Sequence, residues 1–431
     1  MISKRFYPLA TLAVLLAFAW FLAQRALNVP FHDDILDILE FVLNMEDAKT
    51  LEGQLGALFA QYNDHRTSVS RAVYYGLFQL QGEVNFRTLT FVANLALPLL
   101  AFLYAYALTP DDANARRVER RHFSLVLLVA VLVLCQPRAY GLMLWAMSSF
   151  AFYYVCVYAF LSLRFLQKAS PLRFLLALLF AFASTFTLAS GQVIWLLGAI
   201  YIAWQVWVMK ERSPLDLVIW LVVGVLVLAL FRYQFSSVNT ISQLLLYFWQ
   251  MPCHQIGYFL AMVGSGLSFG SLPAALVAGV AIVSFICWIM GRDALDRRLT
   301  HLHFFTLFMM AAAFIVALGR APYSYLDYAL TERYSFASLN IMLCLLVLVF
   351  NRGLPKFRAF GPIFVVMAIV FSIASYRFYT PLMDERMELR IKQYDKKMYW
   401  IFGFPFEQTS GIVNRAIALG IYHPPQKHQD D

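Results

Sequence analysis

The residues able to do chemistry fall into three short clusters. Phe31-His32-Asp33-Asp34 sets two adjacent carboxylates beside a mainly apolar segment. Such a pair can abstract a proton, coordinate a divalent ion or bind a cationic group; solvation and helix capping at an interface would use the same residues. Asn63-Asp64-His65-Arg66, followed by Arg71, is the second cluster. Asp64 there could shape an acid–base or metal environment while Arg66 or Arg71 pairs with phosphate, whose oxygens match the planar guanidinium fork. A helix start with surface ion pairs is the plainer alternative, and no ligand spacing completes a metal site around His65. The third cluster runs from Gly319-Arg320-Ala321-Pro322 through Tyr323, Tyr325 and Tyr328 to Glu332-Arg333-Tyr334. Arg320 and Arg333 could hold a phosphate or diphosphate leaving group with the tyrosines against a sugar, whereas an aromatic belt with a Glu–Arg pair would account for the same letters.

Two weaker features accompany these. His254, with Gln250 and Gln255, could line a cavity or form the polar face of an interfacial helix, and Ser190-Gly191-Gln192 marks a tight turn. Neither a P-loop nor a dinucleotide fingerprint stands at a strand–helix junction, so phosphate-hydrolysing transport and soluble dinucleotide chemistry have no local support.

The elements that must carry these clusters are membrane helices. Of the 431 residues, 61% are hydrophobic and 14% charged, and the mean hydropathy is +0.65, against about 25% charge in soluble domains. Water cannot solvate most of such a surface. The net charge of +9 comes without a basic helix or zinc-finger pattern, so lipid headgroups rather than nucleic acid are the expected partners. Cys135, Cys156, Cys253, Cys287 and Cys344 are dispersed, which argues no disulfide framework.

Runs of about 20 apolar residues suit a crossing. They lie near 7–27, 88–108, 122–137, 141–163, 174–190, 192–209, 215–231, 271–290, 301–319, 334–350 and 360–376, predicting an all-α polytopic protein of about eleven spans. The first is expected to be a retained span, because no small-x-small cleavage motif follows it. Half of the 34 basic residues gather in six short segments around Lys4-Arg5, Arg116 to Arg121, Arg164 to Arg173, Lys210-Arg212, Arg292 to Arg298 and Arg352 to Arg358. The positive-inside rule makes these cytoplasmic, with the N-terminus inside and, by parity, the C-terminus outside.

Residues 242–266 tempt a twelfth span. Gln250, His254 and Gln255 interrupt them, and an interfacial or re-entrant segment is expected instead. Domain organisation then follows as a transmembrane unit over 1–376, with outward loops at 28–87 and 232–270, and an outward tail over 377–431 whose last ten residues are expected to be disordered. In the first loop, Ile35 to Leu43 and Ser68 to Leu80 are expected to be amphipathic helices forming a lip on the membrane surface.

This arrangement resembles the GT-C class of membrane glycosyltransferases, many-helix enzymes with a catalytic acid in the first outer loop and polyprenyl-linked sugar donors. Asp33-Asp34 matches that acid position. Asn63-Asp64-His65-Arg66 is similar to an Asn–acid–His–Arg element of bacterial relatives, with Asp where Glu is common, and Gly319-Arg320 and Arg333-Tyr334 look like late-loop elements of the class. The resemblance implies a bacterial inner-membrane enzyme with a periplasmic active site. It would transfer a sugar from a polyprenyl-phosphate or diphosphate donor to a periplasmic protein or glycan, such as pilin or O-antigen, by an inverting reaction in which Asp34 or Asp33 serves as the catalytic base and Asp64 orients that base, binds sugar hydroxyls or helps a metal. Asp34 is slightly preferred as the base. His65, Arg66, Arg71, His254, Arg320, Tyr325, Glu332, Arg333 and Tyr334 would bind substrate, with a divalent cation as a possible cofactor. A transporter or lipid flippase is the principal alternative, and a polymer-assembly protein the third.

Overall fold

In the computed structural model the described residues are 6–108, 116–236, 240–292, 300–351, 361–399 and 404–425. Lys4, Arg5, Arg297, Arg298, Arg352, Lys356 and Arg358 of the expected cytoplasmic segments lie outside the described residues, as do the side chains of Arg116, Arg117, Arg120, Arg121 and Arg292.

The chain is an all-α, multi-spanning membrane protein. Among the described residues nine helical stretches are long and apolar enough to cross a membrane: Phe6–Arg25, Phe86–Ala107, His122–Met143, Ala146–Leu166, Ala189–Met209, Pro214–Arg232, Leu272–Gly291, Thr300–Tyr323 and Gly361–Asp395. Two shorter apolar helices, Pro171–Thr185 and Ser335–Phe350, stand at the remaining expected positions.

We number the helices in chain order. The first, α1 (Phe6–Arg25), is followed by a π-helical stretch Ile35–Glu40 and by α2 (Phe41–Asp47), α3 (Leu51–Phe59) and α4 (Ser68–Gln81). Thr50 caps α3 by accepting from Gly53 N, and Gly82, at φ 73°, ends α4 in the left-handed region that glycine adopts without strain. Next come α5 (Phe86–Asn94), α6 (Ala96–Ala107), α7 (Arg116–Leu134), the short α8 (Tyr140–Met143), α9 (Ala146–Leu166) and α10 (Pro171–Thr185). The second half holds α11 (Val193–Trp204), α12 (Pro214–Arg232), α13 (Ile241–Gln250), α14 (Pro252–Gly264), α15 (Leu272–Arg292), α16 (Thr300–Arg320), α17 (Ser335–Asn351), α18 (Gly361–Asp395) and α19 (Phe406–Ala418).

Two apolar cores result. The larger fills the bundle, centred on α6, α7, α9, α16 and α17. Lipid tails are as apolar as these side chains, so close packing rather than escape from water holds the helices together there. The approach of α14 to α15 illustrates this, since a Cβ on Gly264 would overlap the Ala275 carbonyl and one on Gly279 the Leu260 carbonyl. The expected interfacial stretch 242–266 is thus two helices, the second packed tightly against α15.

The smaller core lies at one end of the bundle. It joins Ile35, Leu36, Ile38, Leu39, Phe41 and Val42 to Tyr74, Phe78 and Phe86, to Trp145 and Phe150, and to Ile412, Val413, Ala416, Ile421 and Tyr422. We call this unit the cap. Water bounds a cap of this kind, and burying each large apolar side chain there contributes about 1.5–3 kcal/mol. The Ser68–Leu80 expectation is met by α4, but Ile35 to Leu39 are buried throughout, so this stretch forms part of a packed core rather than a surface lip.

The largest departure from expectation concerns the tail. The anticipated boundary at residue 376 falls inside α18, which runs unbroken for 35 residues through Pro381. At 1.5 Å per residue it is about 52 Å long, well beyond a hydrocarbon layer of about 30 Å. The helix α19 then folds back onto the cap. Tyr422, within the stretch expected to be disordered, is fully buried, donates to the Asn28 carbonyl at 2.8 Å and packs its ring against Phe86. Residues 426–431 lie outside the described residues.

Candidate functional site

The turn that leaves α1 carries the first acid pair, and it treats the two carboxylates differently. His32 has φ 44°, a left-handed conformation uncommon for a residue with a Cβ and often found at functional sites. The twist sends Asp34 inward. Fully buried, Asp34 accepts from Phe31 N at 3.0 Å and Met147 N at 2.9 Å, with an Arg390 nitrogen 3.9 Å away. Burial pushes its carboxyl up to about 7, against the opposing pull of Arg390 and the two amides. Asp33 instead remains partly exposed and accepts from the Tyr62 hydroxyl at 2.5 Å.

Tyr62 belongs to the second cluster. Tyr62 and His65 exchange both backbone hydrogen bonds at 2.9 Å, closing a tight turn with Asn63 at φ 47°. That turn holds Asp64 exposed and His65 half-buried. The His65 Nδ1 accepts from Ala189 N at 3.4 Å, which ties it to the predicted turn at Ser190-Gly191-Gln192, a 3-10 stretch over Ala189–Gln192. Gly191 is needed there because a Cβ would overlap the Ser184 carbonyl.

The arginines of this cluster are occupied by the protein itself. Arg66 donates to three backbone carbonyls, those of Phe231 (2.8 Å), Phe59 and Tyr233. Arg71 pairs with Asp37 at 2.9 Å and donates to the carbonyls of Ala57 and Ala60. Both side chains are buried. Their expected role as phosphate contacts gives way to fastening the 57–71 segment, because every donor nitrogen of Arg66 already has a partner. Asp37, which sequence reasoning missed, also accepts from Thr67 at 2.7 Å, and burial raises its carboxyl to about 6 despite Arg71. Its second oxygen has no hydrogen-bond partner. The available signal was an acid placed, with Glu40, inside the otherwise apolar run Ile35 to Leu43.

The third cluster caps α16. Arg320 is exposed, and its guanidinium forms no hydrogen bond or ion pair among the described residues. Arg333 donates to the Tyr328 hydroxyl at 2.9 Å and lies over the Tyr334 ring, 5.1 Å from its centroid, with its Nε buried and unpartnered. Tyr334 is buried and Tyr325 is 88% exposed. Glu332 does not pair with its neighbour Arg333; it forms an ion pair with Arg386 of α18. His254 shares its Nε2 between the carbonyls of Ala321 (3.0 Å) and Ser324 (3.1 Å), so it braces α14 against this loop. Tyr258, one turn on, is buried beneath the loop and feels the Arg320 charge.

The three clusters act on one another electrostatically. The His65 imidazole, whose pKa is lowered chiefly by burial, feels Asp64, Arg320 and Asp33, and Asp33 also acts on Arg333. Burial and the adjacent Asp33 hold the Tyr62 phenol protonated. The resulting site has a partly exposed carboxylate fixed by one phenol, a neutral imidazole, and two guanidiniums with unused donors. Such a carboxylate can accept a proton from a hydroxyl, and such guanidiniums can bind a phosphate oxygen. Among the described residues no group of three or more His, Cys, Asp or Glu side chains is placed to hold a metal ion.

Fold and site define a multi-spanning α-helical membrane protein with a charged site where its cap meets the bundle. No protein-family model, curated protein or solved structure gives a significant match to the chain.

Proposed function

We propose that this protein is a membrane glycosyltransferase of GT-C type, moving a sugar from a polyprenyl-phosphate or diphosphate donor to a protein or glycan acceptor. The observation that carries the reading is the partly exposed Asp33 carboxylate, held by the Tyr62 hydroxyl in the turn that pairs Tyr62 with His65, with the Arg320 charge acting on the same imidazole. In this reading the nine long helices and the two shorter ones make eleven crossings, with the N-terminus cytoplasmic and the site and C-terminus periplasmic.

Asp33 is the base we favour over Asp34. Asp34 already accepts two backbone amides in a fully buried position, and a base must touch the hydroxyl it deprotonates. Tyr62 occupies only one oxygen of Asp33. The acceptor hydroxyl would give its proton to Asp33 while its oxygen forms the new bond to the anomeric carbon. The bond from that carbon to the phosphate oxygen breaks with its electron pair, and Arg320 and Arg333 stabilise the departing lipid phosphate. A phosphate leaves without being protonated, so no second acid is required.

The test is reconstitution of the purified protein in proteoliposomes with a polyprenyl-phosphate sugar and candidate acceptors, read by mass spectrometry. A glycosylated product or donor cleavage supports the reading. Directional movement of the lipid with no bond formed would instead identify a transporter or flippase.

A further inference from the structure

The stretch of α18 beyond residue 376 carries three charged side chains that reach separate parts of the molecule. Asp384 forms a two-pronged pair with Arg25 at the end of α1, at 2.7 and 3.1 Å. Arg386 pairs with Glu332 and lies over the Tyr140 ring at 5.6 Å. Arg390 is buried, donates to the carbonyls of Leu144 (2.6 Å) and Val29, and stands over Phe31 at 5.0 Å and near Asp34 at 3.9 Å.

Arg386 and Arg390 are four residues apart and therefore share one face of one helix. The first holds the residue immediately before Arg333. The second holds the turn on both sides of Asp33. A single helical turn is stiff, so the acid-bearing turn and the cation-bearing loop, remote in sequence, are both referenced to the same short length of α18. We infer that Arg386 and Arg390 are positioning residues that keep the Asp33 turn and the Arg333 loop in register, making α18 a structural part of the site. The consequence for turnover rests on the transferase reading, whereas the mechanical coupling does not.

The test uses the full chain in lipid nanodiscs and follows backbone hydrogen exchange in three segments: 28–40, 321–334, and 68–81 as internal reference. Arg390→Gln should speed exchange about tenfold in 28–40 and leave 321–334 unchanged, and Arg386→Gln should do the reverse. Arg386→Lys, which keeps the charge, should restore slow exchange. No change in either arginine's own segment overturns the inference, and so does equal acceleration of all three segments, which would report general loosening. In the transfer assay Arg386→Gln should raise donor KM more than it lowers kcat, and Arg390→Gln should lower kcat with donor KM nearly unchanged. Absence of transfer by the unsubstituted protein would sink the transferase reading alone, because the exchange pattern decides the coupling by itself.

Discussion

Two pairs of arginines, one in the cap and one at the end of α16 and in the loop after it, look alike in sequence and behave differently in the fold. Arg66 and Arg71 each sit close to an acid and a histidine, yet both are buried and held by carbonyls and, for Arg71, by Asp37. Arg320 is exposed, Arg333 keeps an unpartnered Nε, and the Asp33 charge acts on Arg333. The difference is one of partners and exposure: a buried guanidinium whose three nitrogens each already donate to an oxygen of the protein is committed to the fold, whereas an exposed one is open to a ligand.

Breaking the cap pair should therefore damage the fold. Asp37→Ala leaves Arg71 buried without its carboxylate, at a cost of about 3–5 kcal/mol; thermal unfolding of the purified protein should show a large loss of stability. A stability matching the unsubstituted chain would mean that Arg71 is supported by its carbonyl contacts alone.

Breaking the late-loop pair should spare the fold and weaken ligand binding. Arg320→Met removes charge-assisted hydrogen bonds of about 1.5–3 kcal/mol, so polyprenyl-phosphate binding should fall by about ten- to a hundredfold at unchanged thermal stability. Equal loss of stability and binding would erase the distinction between the two pairs.

The adjacent acids sharpen the same contrast through pH. Asp34 has a folded pKa raised from 3.8 to about 7, so the folded state holds its proton more tightly than the unfolded chain. Its stabilising contribution is complete below pH 3.8 and is lost as pH rises through about 7. The thermal stability of the unsubstituted protein relative to Asp34→Asn should decline between those limits, and a difference independent of pH would contradict the burial argument. Tyr325→Ala should have the smallest effect, under about threefold in donor affinity, because its ring is 88% exposed and surface changes usually cost less than about 0.5 kcal/mol.

Much of this architecture was legible because membrane helices announce themselves as apolar runs and α4 as a periodic one. The three clusters were legible as chemistry, since acids, His and Arg stand out in a chain with 14% charged residues. What could not be read is how the backbone divides neighbours. Only the left-handed turn at His32 and the π-helical stretch after it decide that Asp34 turns inward and Asp33 does not. The partners of Arg66 at Phe231 and Tyr233 come from the end of α12, and no local pattern announces such a long-range contact. The closing of the tail onto the cap had a readable sign in Ile412, Val413 and Ala416, which recur at helical spacing and are, with Thr409, the residues that α19 buries.

The central claim is that Asp33, rather than Asp34, is the proton acceptor. Asp33→Asn should be purified, matched to the unsubstituted protein in thermal stability, and assayed for transfer at saturating polyprenyl-phosphate sugar. The account predicts a loss of about 10²- to 10⁴-fold in kcat with donor affinity nearly unchanged; full turnover by Asp33→Asn would contradict it.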